Sequence, residues 1–409
     1  MLPAKSPSRF AGMAKIKYFE CSCCGDRLPT DTAGYVCPKD GGFLYACYDL
    51  AAIRESVQRP SPADATNTMW RYAALLPDAQ PVTLGEGMTP LLPSRRYPNL
   101  FIKEEGLNPT GSLEARAMSA AVTMARHDGI EEVNAFADGN SGGALAAYAA
   151  AADLRAYVFV PPDTPLPNRL EVAAFGARLS LLGQDGSPSP EVAGYLDISA
   201  WQGPFQIEGR KTIAYELAEK LGWRLPDAIL LPGNAATAVI GMWKAFAEME
   251  ELGWVPQGKR PKMICCQTSN NAPILKALLE DSRGAVSGPD TRPADSPPAH
   301  GHAHVLALDF IRRSGGAALA VSDDAMKAGI KQVAANEGIL PAPEGGAAMA
   351  AYLDLLREGF LDDSHQVVLI NPASGYKYLD TLQECWRVTS PADLKLPASR
   401  NIGGIIGPY

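Results

Sequence analysis

The chain has no apolar run long enough to cross a bilayer. Stretches such as Ala144–Ala152 fall far short of the roughly 20 residues a spanning helix needs. It also lacks a basic excess. Lys and Arg total 37 against 45 Asp and Glu, a formal charge of −8, and no basic stripe stands out. That balance argues against nucleic acid or an anionic membrane as partner. The first twenty residues, MLPAKSPSRFAGMAKIKYFE, contain no apolar signal core, so a cytoplasmic location is expected. No internal repeat is evident. Histidine is scarce, at five residues, and three of these (His300, His302, His304) alternate within the Pro- and Gly-rich segment 281–304. On a strand they would face one way as metal ligands. In such a composition a flexible, solvated loop is the expectation.

Cysteine is thinly spread outside one cluster. Cys265, Cys266 and Cys385 sit in apolar surroundings and read as buried free thiols. The other five lie between Cys21 and Cys47. Clustering of this kind points to a metal rather than to a disulfide framework. Cys21-x-x-Cys24 followed by Cys37-x-x-Asp40 has the spacing of a zinc ribbon, two knuckles that share one tetrahedral ion. Asp40 stands where a fourth cysteine belongs, and carboxylate is a harder ligand. Cys23 and Cys47 are alternative donors, and a ribbon held by packing alone is the competing reading.

With 409 residues, 46% of them hydrophobic, the chain can bury a large core and divide into two or three domains. Residues 1–17 read as a tail, 18–49 as the ribbon, and 50–84 as a helical connector that docks through Trp70, Tyr72 and Leu75. From residue 85 to 387 strands and helices alternate. Strands are expected at 133–137, 157–161, 178–182, 228–231, 262–267 and 366–371. Helices are expected at about 112–127, 144–152, 168–175, 208–227 and 271–279, with Ser322 capping a later one. Alternating βα units predict an α/β fold with parallel, doubly wound sheets, which bind ligands at the C-terminal ends of their strands. Residues 388–409 read as a Pro- and Gly-rich extension.

The centre of the chain is Phe101–Ser119, FIKEEGLNPTGSLEARAMS. An apolar strand start leads into a turn and then a helix, with Ser112 placed to cap it. Free N–H groups at a helix start attract anions. This run resembles the active-site helix of threonine synthase and its relatives, the pyridoxal phosphate (PLP) enzymes of the tryptophan synthase β-subunit fold. Gly85–Leu91 (GEGMTPL), Asp138–Gly143 (DGNSGG), EGRKT at 208–212, Gly233–Thr237 (GNAAT), PEGGA at 343–347 and the run Asn371–Lys377 (NPASGYK) resemble further family motifs in the same order. The resemblance covers about residues 18–377, since some threonine synthases carry a similar ribbon. It implies two subdomains, the smaller (about 115–215) inserted in the larger, and a homodimer.

It also implies a cofactor site with three departures. The lysine that forms the Schiff base with PLP is replaced by Glu114, which cannot form an imine. The phosphate-cradling turn keeps Gly233 and Asn234, followed by Ala235, but has Ala236 and Thr237 where the family has Gly and Asn. The hydroxyl that meets the pyridine nitrogen aligns with Pro372, two residues from Ser374. Asn140, with Ser141 beside it, matches the residue next to the PLP ring oxygen. Thr89, Thr110 and Arg116 are the substrate-side residues the resemblance implies, with Arg116 also available to pair with Glu114. Lys103 and Lys211 are alternative anchors if the fold directs them to the site. Three readings follow. The first is an enzyme that uses Glu114 as acid or base on a small anionic substrate, with PLP or its amine form (PMP) held without a lysine. The second is a catalytically silent binding subunit. The third is a conventional PLP lyase.

Overall fold

A computed structural model of the chain describes residues 16–32, 36–61, 64–137, 139–182, 195–199, 203–233, 236–279 and 299–386. The ribbon comprises β1 (Ile16–Cys21), β2 (Arg27–Leu28) and β3 (Leu44–Tyr48), antiparallel in the order β2-β1-β3. The connector holds α1 (Leu50–Ser56) and a 3-10 run, Met69–Leu75, whose Trp70, Tyr72 and Leu75 are buried.

The body then reads β4 (Leu91–Pro93), β5 (Leu100–Glu104), α2 (Glu114–His127), β6 (Glu132–Phe136), α3 (Asn140–Ala151), β7 (Arg155–Val160), α4 (Leu166–Ala174), β8 (Arg178–Leu181), β9 (Leu196–Asp197), α5 (Phe205–Lys220), β10 (Ala228–Pro232), α6 (Ala236–Glu251), β11 (Lys262–Thr268), α7 (Pro273–Leu279), α8 (Ala299–Arg313), β12 (Ala317–Val321), α9 (Asp323–Glu337), α10 (Pro343–Arg357), β13 (Val367–Asn371) and α11 (Leu379–Cys385). Two sheets organise it. The larger has the order β12-β11-β10-β13-β5-β4, parallel except for β4. The smaller, β8-β7-β6-β9, is wholly parallel. The expected α/β fold with two parallel-sheet subdomains is therefore present, and the chain passes from the larger sheet through α2 into the smaller and returns through α5.

Local chemistry explains most boundaries. Ser322 accepts from Ala325 N–H at 3.2 Å and starts α9, and Gly338 ends it at φ 71°. The small residues of α3 let it lie on β7. A Cβ on Gly142 would stand 2.8 Å from Val158 Cγ1.

Four expectations need correction. Ser112 does not cap α2. Leu113 occupies the cap position, and the backbone of Ser112 is extended. The helix expected at 144–152 begins at Asn140, so DGNSGG is largely a first helical turn. The helix expected at 208–227 spans Phe205–Lys220. Finally, the end of the loop expected at 281–304 is helical from Ala299, with His304 buried in α8. The rest of that loop, and the 388–409 extension, lie outside the described residues.

Candidate functional site

The site forms where β5 and β13, hydrogen-bonded neighbours, end side by side. The turn after β13 lies on the loop before α2. Leu113 N–H donates to Pro372 carbonyl at 2.9 Å, and Ser374 N–H to Gly111 carbonyl at 2.9 Å. The loop is held in an unusual conformation, with Thr110 at φ 60°, a region β-branched residues rarely adopt.

Glu114 opens α2 and forms an ion pair with Arg210 of α5. Its side chain is 17% exposed and that of Arg210 is 1% exposed. Gly209 makes this reach feasible. A Cβ there would lie 2.0 Å from the Arg116 carbonyl, so α2 and α5 touch backbone to backbone. The partner expected for Glu114, Arg116, points elsewhere.

Arg116 is fully buried in an ion cluster. It meets Glu105 at 2.7 Å, Glu216 at 2.8 Å and Thr212 at 3.0 Å. Lys103 joins the cluster, 2.6 Å from Glu216 and 2.7 Å from the Thr89 carbonyl, and the Thr89 hydroxyl donates to Glu105. Burial alone would raise the carboxyl of Glu105, but the charges of Arg116 and Lys103 hold it down to about 2. Arg116 and Thr89, expected at the substrate, are thus saturated inside the protein. Neither alternative lysine is directed to the site. Lys103 is held in this cluster, and Lys211 is held by Glu208 and Glu248 in a second buried network.

Asn140 is at the start of α3, just after Gly139 at φ 142°. Its side-chain amide donates to the Tyr378 hydroxyl at 2.8 Å, and its carbonyl oxygen accepts from Asn168 at 3.0 Å. Lys377 reaches from the same short turn to the Thr110 carbonyl at 2.8 Å and to Glu171 of α4 at 2.6 Å. Around these ties, the side-chain oxygens of Thr110, Ser112, Ser141 and Thr164, and Oδ1 of Asn168, are buried with no hydrogen-bond partner among the described residues. Buried oxygens left unpaired are costly and invite a ligand.

The phosphate-turn residues divide. Gly233 follows β10 and its carbonyl accepts from Gln267 at 3.4 Å, while Asn234 and Ala235 lie outside the described residues. Ala236 and Thr237 are buried in the first turn of α6. Ser374 caps its own turn, accepting from Tyr376 N–H at 3.4 Å.

In the ribbon, Cys21, Cys24, Cys37 and Asp40 present ligand atoms that all lie within 4.8 Å of one another. The two knuckles match. Gly25 N–H donates to Cys21 carbonyl at 3.0 Å and Gly41 N–H to Cys37 carbonyl at 2.9 Å, with both glycines at positive φ. Gly42 N–H, donating at 2.8 Å, holds the Asp40 carboxyl down to about 2.

Sequence reasoning missed Arg210, Asn168, Glu171 and Tyr378. The legible signals were weak: an arginine within a helix otherwise taken as amphipathic, and the Tyr-Lys-Tyr run after the last strand.

The chain matches the family of pyridoxal-phosphate dependent enzymes over residues 82–373. Threonine synthase of Methanocaldococcus jannaschii is 31% identical over 385 residues, 87% of this chain and 92% of that protein. Threonine synthase of Mycobacterium tuberculosis is 31% identical over 351 residues, 81% and 95% of the two chains. Among solved structures, O-ureido-L-serine synthase aligns with a TM-score of 0.58 at 21% identity, over 75% of this chain and 96% of that one. Serine racemase from Dictyostelium discoideum aligns at 0.55 and 19%, over 70% and 92%. Those two share the fold. The sheets, the inserted smaller subdomain and the extent of these matches agree: the chain belongs to the pyridoxal-phosphate dependent enzymes, among the threonine synthase-like members.

Proposed function

We propose that this protein binds a small anionic ligand, amino-acid-like or phosphorylated, between its two subdomains and uses no lysine Schiff base. The observation that carries this reading is the Glu114–Arg210 ion pair. It stands where the resemblance puts the imine-forming lysine. A carboxylate cannot condense with an aldehyde, and its negative charge opposes a phosphate cofactor unless a cation balances it. Arg210 is that cation. Two further residues fit lysine-anchored PLP poorly. Pro372 offers no side-chain hydrogen bond, and the Asn140 amide is engaged by Tyr378. PLP or PMP, if bound, is therefore held non-covalently.

In this reading Glu114, paired with Arg210, is the group that accepts a proton from the ligand. The starts of α2, α3 and α6, and the unpaired hydroxyls of Ser112 and Ser141, receive the ligand's anionic groups. The test is calorimetric titration with O-phosphoserine and inorganic phosphate, followed by product analysis. Binding with turnover that Glu114→Gln reduces about 100-fold or more supports the acid–base role. Binding with no turnover in the native protein would move the assignment to a silent binding subunit, which the Tyr378–Asn140 contact favours. Failure to bind either probe would contradict the reading.

We also propose that the ribbon holds one Zn²⁺ through Cys21, Cys24, Cys37 and Asp40 as a structural ion. The chain is proposed to work in the cytoplasm as a homodimer, without nucleic acid or membrane partners. In support, no helix among the described residues is long and apolar enough to cross a membrane.

A further inference from the structure

We infer that Tyr378 is a built-in competitor for the ring-binding part of the site. Its phenol takes the Asn140 amide that a ligand bearing an aromatic hydroxyl would need. The inference rests on the reading above, in which any cofactor is held without a covalent anchor.

Two adjacent side chains leave the short turn after β13 and cross to the smaller subdomain. The Tyr378 hydroxyl accepts from Asn140 Nδ2 at 2.8 Å. Lys377 Nζ donates to Glu171 at 2.6 Å and to the Thr110 carbonyl at 2.8 Å. The acceptor of the Asn140 amide is thus a hydroxyl on a six-membered aromatic ring. Asn140 cannot turn away to serve another ligand, because its own Oδ1 accepts from Asn168 at 3.0 Å. Of the two N–H donors on Nδ2, the one aimed at the turn after β13 is taken by the Tyr378 hydroxyl, so a ring hydroxyl of a ligand must displace Tyr378 to use it. The contact also sits among unpaired polar atoms. Ser141 and Asn168 are 3% and 2% exposed, and Ser141 Oγ and Asn168 Oδ1 have no partner among the described residues. Tyr378 satisfies one donor of a polar site and leaves the rest for a ligand.

The ligand class follows from what the donor now meets, an oxygen on an aromatic ring. Asn140 Nδ2 suits a phenolic or hydroxypyridine oxygen, and the unpaired hydroxyls beside it suit a carboxylate or phosphate on the same molecule. PLP carries both features and is the probe of choice, read by binding rather than by activity.

The experiment compares PLP affinity, from absorbance titration and equilibrium dialysis, in the native protein, Tyr378→Phe and Tyr378→Ala. Tyr378→Phe keeps the ring and frees the amide, so affinity is expected to rise about 3- to 10-fold, the worth of one hydrogen bond. Tyr378→Ala also removes the ring and is expected to gain more. Affinity equal to native in both variants, or weaker, overturns the assignment. So does a gain confined to Tyr378→Ala, because hydrogen-bond competition would then play no part. A second measurement needs no destabilising variant. With 3-fluorotyrosine at position 378, the ¹⁹F resonance is expected to shift as PLP displaces the ring, and an unmoved resonance at saturating PLP overturns the assignment. A lysine–PLP adduct in the native protein would instead defeat the Schiff-base-free reading, a result distinguishable from an unchanged affinity series.

Discussion

At the scale of single residues, the site is defined by which charges find partners. Glu114 reads as a departure from a lysine only through the family resemblance, because the motif survives on both sides of it. Arg210 was not legible, because its reach depends on how closely two helices approach. Arg116 was misassigned for a related reason. A buried arginine and a substrate-binding arginine look alike in sequence, and only the surrounding Glu105, Glu216 and Thr212 separate them. A second buried carboxyl gives a pH prediction. Glu104, 6% exposed, accepts from Asn371 at 2.9 Å and from Gly106 N–H at 2.9 Å. Burial outweighs these bonds and pushes its carboxyl up to about 7, from 4.5. The folded state therefore holds this proton more tightly than the unfolded chain. Its contribution is fully present below pH ~4.5 and is lost as pH rises toward ~7, on the order of 3 kcal/mol in all. Denaturation across that range is expected to show native stability falling relative to Glu104→Gln. A constant difference between the two would contradict it.

At the scale of elements, the order of strands and helices was largely readable, while α5 was misread in kind. Ile213 and Leu217 do form an apolar face, but the opposite face is buried too. Glu208, Arg210, Lys211 and Glu216 are each 1% exposed or less and are spent on ion pairs. A helix buried on all sides with paired charges mimics an amphipathic one. The α2–α5 contact at Gly209 supplies a prediction. Gly209→Ala forces a Cβ against the Arg116 carbonyl, and overpacking of this kind costs about 1–3 kcal/mol. Urea denaturation should register that loss, and native-like stability would show that the helices part freely. The ribbon was readable from spacing, down to Asp40 as the fourth donor atom in reach. Elemental analysis is expected to find one zinc per chain. Chelation should then lower the thermal midpoint, and Asp40→Cys should retain the ion against chelator better than the native set. Metal-free protein with an unchanged midpoint would leave the ribbon to packing alone.

At the scale of the whole molecule, two parallel sheets and an inserted subdomain bring the starts of α2 and α3 together at the turn after β13. That arrangement was legible, because ordered motifs report a fold even where their chemistry has changed. What the site contains was not legible. The ties from Lys377 and Tyr378 to the smaller subdomain join residues more than 200 positions apart and depend on side-chain direction. Glu114 and Arg210 are proposed to have ended lysine anchoring of PLP in this fold. Borohydride reduction of the native protein with PLP, followed by peptide mapping, is the decisive experiment. No reduced adduct is expected on any lysine at the site, while the double variant Glu114→Lys, Arg210→Gln is expected to gain one at position 114. A stoichiometric adduct in the native protein, on Lys377 beside Gly111 or on any other lysine at the site, would contradict the claim.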